Sequence, residues 1–305
     1  MSDLPPGVQR GYPLARLTTV RTGGAAELFA RPRTLAELET LLAWAGERAL
    51  EVGVVGSGSN LLVADTGVRG LVLKLDHELS QIRIDGVRMH CGGGARLPSV
   101  SAQAARAGLS GIEFGVNIPG TVGGAVRMNA NAYGGELARA LRWVDVVSAV
   151  GTERRAPEEL GFGYRRSGLR SGEVVARAEF ALVPAASDAV TRTLSEMRGK
   201  RRAAQPSGIK TFGSTFKNPA DPRAGGRSAG QLLEAAGCRG LRIGGAGFSE
   251  KHANFVENLG TATTADVVAL MAEGRRRVRQ RFGVALEPEV QTLGTVPFPA
   301  DWTRA

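Results

Sequence analysis

The pattern of apolar and polar positions divides the chain into short strands and a few helices. Leu35, Leu38, Leu41, Leu42 and Ala45 recur at helical spacing. Thr34 stands before them with Glu37 three residues on, the arrangement of a capping box. Helices are also predicted over 97–107, closed by Gly108, over 187–203, and over 229–236, closed by Gly237. A long one runs from 264 or 265 to about 282, with Asp266 at its start and arginines at its end, as the macrodipole prefers. Residues 14–33 read as extended, and 52–55 as a short buried strand. Strands at 71–75, 81–84 and 87–91 follow, the last two joined by an Asp85-Gly86 hairpin turn. Further strands are predicted at 141–150, 174–183 and 286–290. Short strands and helices share one unit, read as α+β.

Three stretches resist this description. In Phe212-Gly213-Ser214-Thr215-Phe216-Lys217-Asn218-Pro219 two aromatics alternate with hydroxyls, an ammonium and an amide. Such a run is either an edge strand with one polar face or a pocket wall that presents a proton donor and a cation. Gly56-Ser57-Gly58-Ser59-Asn60 follows directly on the strand at 52–55. Small residues there expose consecutive backbone N–H groups, a nest for phosphate oxygens, although any tight turn has a similar composition. The dinucleotide fingerprint G-x-G-x-x-G is absent, which disfavours a doubly wound nicotinamide domain. The third stretch, Gly111 to Ala125, carries Gly120, Thr121, Gly123, Gly124 and Ala125. It reads as a plain loop with a helix start, or as backbone meeting a large flat ligand.

Composition narrows the classes. The 305 residues exceed one ordinary core, so two or three domains are expected. Glycine, at 42 residues, is about twice the ordinary ~7%. The net charge of +10 comes almost wholly from arginine, since Lys74, Lys200, Lys210, Lys217 and Lys251 are the only lysines among 39 basic residues. The arginines are scattered, apart from clusters at 198–202 and 275–281, and aromatics make up only 5%. That combination disfavours a nucleic-acid surface, while the positive field suits an anionic small substrate. No run reaches the ~18 apolar residues of a membrane span, and Met1 to Pro6 does not read as a signal peptide. Cys91 and Cys238 lack metal-type spacing and read as reduced thiols in a cytoplasm; His252 has no second histidine beside it, so no metal site is expected.

Taken together, the motifs resemble the UDP-N-acetylenolpyruvoylglucosamine reductase family. The resemblance rests on seven segments in one order: 56–63, Ile118 to Ala125, Met128-Asn129-Ala130, Tyr164-Arg165-x-Ser167, Gly213 to Pro219, Ser249-x-Lys251-His252-Ala253-Asn254-Phe255, and Leu286-Glu287-x-Glu289-Val290. One position departs from the family's pattern: Asn131 stands where glycine is more common.

The resemblance implies two FAD-binding subdomains of the vanillyl-alcohol-oxidase-like type, over 1–70 and 71–186. A C-terminal α+β substrate domain over 187–305 would follow, entered through a helical linker at 187–207. It implies that Gly56, Ser57, Gly58, Ser59 and Asn60, with Gly120, Thr121, Gly123, Gly124 and Ala125, hold FAD. It further implies that NADPH reduces the flavin and that a UDP-sugar enolpyruvyl ether is then reduced, in peptidoglycan precursor synthesis. Arg165 would pair the substrate carboxylate, Ser214 donate the proton, and Glu289 rather than Glu287 polarise the enol. Tyr164, Lys217, Asn218, Lys251 and Asn254 would contact substrate or NADPH. A cytoplasmic monomer is expected, of the family's shorter form, which lacks an extra substrate-closing loop. The competing readings are a flavin oxidase or dehydrogenase of the same fold acting on a different substrate, which does not need Ser214 and Glu289 together, and a flavin-free nucleotide-binding or nucleic-acid-binding protein.

Overall fold

The computed structural model describes residues 4–302; the reading of Met1–Asp3 lies outside them. The chain builds two compact units. One takes the stretch up to Gly11, with 27–57 and 69–201; the other takes 12–26, 58–68 and the chain from Arg202 onward.

The first unit has a four-stranded sheet in the order Gln9–Pro13, Ala25–Ala30, Val68–Leu73, Val52–Val54. Helix Leu35–Glu47 buries the stripe Leu38, Leu41, Leu42 and Ala45 against Leu28, Ala30, Leu71 and Leu73. Its N-terminus differs in detail from a closed capping box. Thr34 Oγ1 accepts from Glu37 N at 3.2 Å, but Glu37 Oε2 accepts from Arg33 N at 2.7 Å, one residue before the cap.

The same unit carries an antiparallel five-stranded sheet: Gly151–Arg155, Leu141–Ser148, Val174–Ala181, Arg88–Gly92, Ile82–Asp85. Val147, Val174 and Ala176 point into the core under helix Leu35–Glu47, whereas Val144, Val146, Val175, Ala178 and Phe180 point into a second core with helix Leu97–Arg106. Burial on both faces explains the near-continuous apolar runs of the two central strands. The hairpin pairs Asp85 with Arg88, so Gly86 and Val87 form its tip, one residue later than the turn signal suggested, with Gly86 at φ 56°.

In the second unit helices Ala229–Ala235 and Thr264–Phe282 cover a small sheet of Arg242–Ile243, Ala246–Phe248 and Val256–Asn258. The buried rings of Phe212, Phe216 and Phe248 centre the core. Strand Leu61–Val63 pairs in parallel with Gln291–Leu293. Helix Thr264–Phe282 has a true capping box between Thr263 and Asp266 and ends at Gly283, φ 68°. The arginine cluster braces this helix. Arg276 and Arg277 bond Glu273, holding its carboxyl down to about 2, and Arg275 Nε donates to Leu286 O at 3.0 Å.

Three expectations need correction. Residues 14–33 are not uniformly extended: Leu14–Arg16 form a 3-10 turn before strand Ala25–Ala30. Phe212 to Pro219 forms no regular strand but only single bridges, Ser214 opposite Phe255 and Phe216 opposite Pro288. The closing strand begins at Gln291, after Pro288, which has no N–H for a ladder. Among the described residues no helix is long and apolar enough to cross a membrane. Cys91 and Cys238 are buried free thiols, pushed up by burial to about 12 and about 11.

Candidate active site

The first glycine-rich loop leaves strand Val52–Val54. Its carbonyls are engaged: Gly56 O accepts from Lys74 Nζ at 2.6 Å, Gly58 O from Thr19 N at 3.0 Å, and Asn60 O from Gln291 N at 3.1 Å. The N–H groups of Gly56, Ser57, Gly58, Ser59 and Asn60 find no acceptor among the described residues. With three of its carbonyls engaged and its N–H groups without an acceptor among the described residues, the loop has the donors that an anion needs. Two of its glycines are required by crowding. A Cβ on Gly56 would lie 2.5 Å from Thr121 Oγ1, and one on Gly58, at φ +64°, would run into Leu17 O.

Nothing in the sequence around Lys74 singles it out, yet it underpins this loop. Burial is the main cause of its lowered pKa, followed by the positive charge of Arg31; Asp76 opposes the shift, and Arg96 adds to it least. The Arg96 backbone forms a single antiparallel bridge with Thr121 of the second glycine-rich loop. Three cations from separate segments therefore raise the local potential where the two loops meet.

The second loop is arranged differently. Gly120 N donates to Ile118 O at 2.7 Å, Gly123 N to Gly93 O at 2.7 Å, Gly124 N to Thr121 Oγ1 at 3.4 Å, and Ala125 N to Thr121 O at 2.8 Å. The N–H groups of these four residues are therefore bonded within the protein. Thr121 serves as the cap of helix Val122–Arg127, and a Cβ on Gly123 would lie 3.1 Å from Gly93 O. Glycine here permits protein to pack against protein.

Arg165 occupies a tight turn. Gly163 N and Arg166 N donate to each other's carbonyls at 3.1 and 3.3 Å, and Arg165 sits at φ 56°, a conformation that favours glycine. Ser167 of the same motif donates to Arg127 O at 2.9 Å, anchoring the turn to the end of helix Val122–Arg127. Tyr164 is about half exposed, with the Arg165 guanidinium 5.2 Å from its ring centre. Asn129, also left-handed at φ 40°, donates from Nδ2 to Glu136 Oε1 at 2.7 Å and Gly163 O at 3.3 Å.

In the second unit the segment around Ser214 is held on both sides. Thr215 N donates to Asn254 O at 2.8 Å, Glu289 N to Thr215 O at 2.9 Å, and Lys217 N to Glu287 O at 2.9 Å. Pro288 lies opposite Phe216, where the ladder needs no N–H from it. Ser214 and Glu289 are half-buried, whereas Glu287 is exposed and pairs with Lys217 at 3.4 Å. Asn60 Nδ2 donates to Glu289 O at 3.2 Å, and Gly213 lies against Ser59 O. The residues expected as substrate contacts behave unequally. Asn254 is buried and brackets Phe216, accepting from its N and donating to its O, both at 2.9 Å. Asn218 Oδ1 accepts from Ala229 N at 3.1 Å at the start of a helix, and Lys251 Nζ donates to Arg202 O at 2.6 Å. His252 Nδ1 accepts from Asn254 N at 3.2 Å, and burial lowers its pKa. No group of three or more metal-ligating side chains occurs among the described residues.

These features define an FAD-binding oxidoreductase: residues 26–156 match the family model described as an FAD binding domain, and 205–293 match that of the UDP-N-acetylenolpyruvoylglucosamine reductase C-terminal domain. A reductase of that name from Symbiobacterium thermophilum is 46% identical over 96% of this chain and 94% of its own. The one from Heliobacterium modesticaldum is 45% identical over 92% and 89%. A crystal structure of the Thermus caldophilus enzyme superimposes with a TM-score of 0.81 at 38% identity, covering 94% of this chain and 98% of that one. The chain belongs to the UDP-N-acetylenolpyruvoylglucosamine reductase family.

Proposed function

We propose that the protein reduces UDP-N-acetylglucosamine enolpyruvate to UDP-N-acetylmuramate, with NADPH as the electron donor, in the synthesis of peptidoglycan precursors in the cytoplasm. It thereby serves cell-wall biogenesis, cell shape and division, and works as a monomer on a small-molecule substrate. The observation that carries this reading is the two-sided ladder around Ser214, Thr215 and Lys217 in a chain of this family. It fixes half-buried Ser214 beside Thr215, whose carbonyl accepts from Glu289 N. A flavin oxidase needs no such pairing.

FAD fits the residues present, because the open donors of Gly56 to Asn60 and the cations Lys74, Arg31 and Arg96 suit an anionic pyrophosphate. When bound, the flavin supplies hydride to the substrate alkene. The FAD-binding subdomains are drawn at 1–70 and 71–186 and the substrate domain at 187–305, although 12–26 and 58–68 fold with the unit that takes the chain from Arg202, and 187–201 with the other. Thr121, with Gly120, Gly123, Gly124 and Ala125, backs the first loop and shapes the wall.

Hydride at the terminal alkene carbon leaves negative charge on the neighbouring carbon and its carboxylate. Arg165 pairs that carboxylate, a task suited to a planar fork of donors. Ser214 gives its proton to the carbon beside the carboxylate. A serine hydroxyl is a weak acid, so the transfer requires a strongly basic enolate and a nearby cation, for which Lys217 is placed three residues on. Glu289 polarises the enol. Tyr164, Lys217, Asn218 and Lys251 contact the nucleotide or NADPH. Asn254, engaged with Phe216, holds the ladder and so positions Ser214.

Stopped-flow absorbance of Ser214→Ala tests the assignment. Flavin reduction by NADPH should persist, while reoxidation by the enolpyruvyl substrate falls by several orders of magnitude. Both half-reactions at wild-type rates would remove Ser214 from its role.

A further inference from the structure

The guanidinium of Arg165 is not left to find its own position. Nη1 donates to Asn131 Oδ1 at 2.9 Å and to Asn131 O at 3.4 Å. Asn131 is itself fixed, since Asn131–Ala132 pairs with Gly135–Glu136 in a two-residue hairpin, with Glu136 opposite Asn131. Phe114 packs against Gly135 so closely that a Cβ there would lie 2.6 Å from the ring. Asn129, two residues earlier, holds Gly163 at the base of the Arg165 turn and bonds Glu136 across the hairpin. The hairpin and the turn are thus joined at three points: backbone carbonyl to side chain, side chain to side chain, and side chain to turn.

We propose that Asn131 is a positioning residue for Arg165, presetting the guanidinium for the carboxylate of the substrate. This rests on the role given to Arg165 under Proposed function. An arginine left loose gives up rotamer entropy when it docks a ligand, and holding it beforehand removes part of that cost. The acceptor is a neutral carboxamide, which fixes the cation without cancelling its charge. A carboxylate at the same place would fix it equally well and compete with the substrate for it. The strained φ of Arg165 is consistent with a turn held by its surroundings rather than by local preference.

The test measures, by calorimetry without NADPH, the Kd of the flavin-loaded protein for the enolpyruvyl sugar nucleotide, alongside KM and kcat. Asn131→Ala should weaken binding about tenfold. Asn131→Asp, which is isosteric and keeps an acceptor, should weaken it more, about thirtyfold or beyond, with KM rising more than kcat falls. A purely structural part for Asn131 predicts the opposite order, with Asp close to wild type, and that result overturns the proposal. The Asp variant keeps the test open should Asn131→Ala fold poorly. Arg165→Ala separates the proposal from its foundation. If that variant binds as wild type, the carboxylate role of Arg165 fails. If it binds poorly and adding Asn131→Ala costs nothing more, both stand. Full additivity of the two losses in the double variant sinks the positioning role alone.

Discussion

The two glycine-rich loops look alike on paper and are used in opposite ways. In Gly56 to Asn60 the carbonyls of Gly56, Gly58 and Asn60 accept from Lys74, Thr19 and Gln291, and the N–H groups find no acceptor among the described residues. In Gly120 to Ala125 the N–H groups of Gly120, Gly123, Gly124 and Ala125 are satisfied within the protein. A backbone can bind an anion only with donors it has not already used, and by that measure the first loop is the better suited of the two. The second supports it from behind, since Gly56 fits only because nothing projects between it and Thr121. Glycine content alone therefore does not mark a ligand loop; the state of the N–H groups does.

The sharpest attack on this contrast is Gly58→Ala. The substituted residue would need φ near +64° and would collide with Leu17 O, so the protein should lose about 3 kcal/mol in chemical denaturation. Wild-type stability in this variant would show that the first loop is pliant rather than pinned. A smaller effect is expected from Lys74→Met, which removes the bond to Gly56 O. FAD affinity, followed by flavin fluorescence, should fall about tenfold, or ~1.4 kcal/mol.

The pH dependence has a definite sign. Burial lowers the Lys74 pKa below 10.5, so its positive charge disappears at a lower pH than an ordinary lysine's. Wild-type FAD affinity should therefore decline as pH rises towards 10.5, and Lys74→Met should lose that component. The smallest change is expected from Gly120→Ala, where a Cβ meets only Ile118 Cγ2 at 3.9 Å. Stability and FAD affinity should stay within about 0.5 kcal/mol of wild type. A folded Gly120→Ala protein that cannot bind flavin would erase the distinction between the loops.

Much of the framework was legible in the chain itself. Helices Leu35–Glu47, Leu97–Arg106 and Thr264–Phe282 follow from apolar spacing with Thr caps or closing glycines, because helical hydrogen bonds are local. The segment from Phe212 to Pro219 was recognisable as unusual from its alternation of rings and polar groups. Its true form was not: the bridges to Phe255 and Pro288 come from about 40 and 70 residues away. Likewise Asn254 carries no local sign that its amide closes on Phe216.

What the sequence determined by itself was the main helices, most strands of the five-stranded sheet and the family whose residues it shares. Only tertiary structure decided which N–H groups stay open, that Lys74 holds Gly56, and that Asn131 meets Arg165. The physical reason is range. Helix periods, caps and turn residues act over a few positions, whereas a donor's freedom or a cation's burial depends on partners that folding alone brings near.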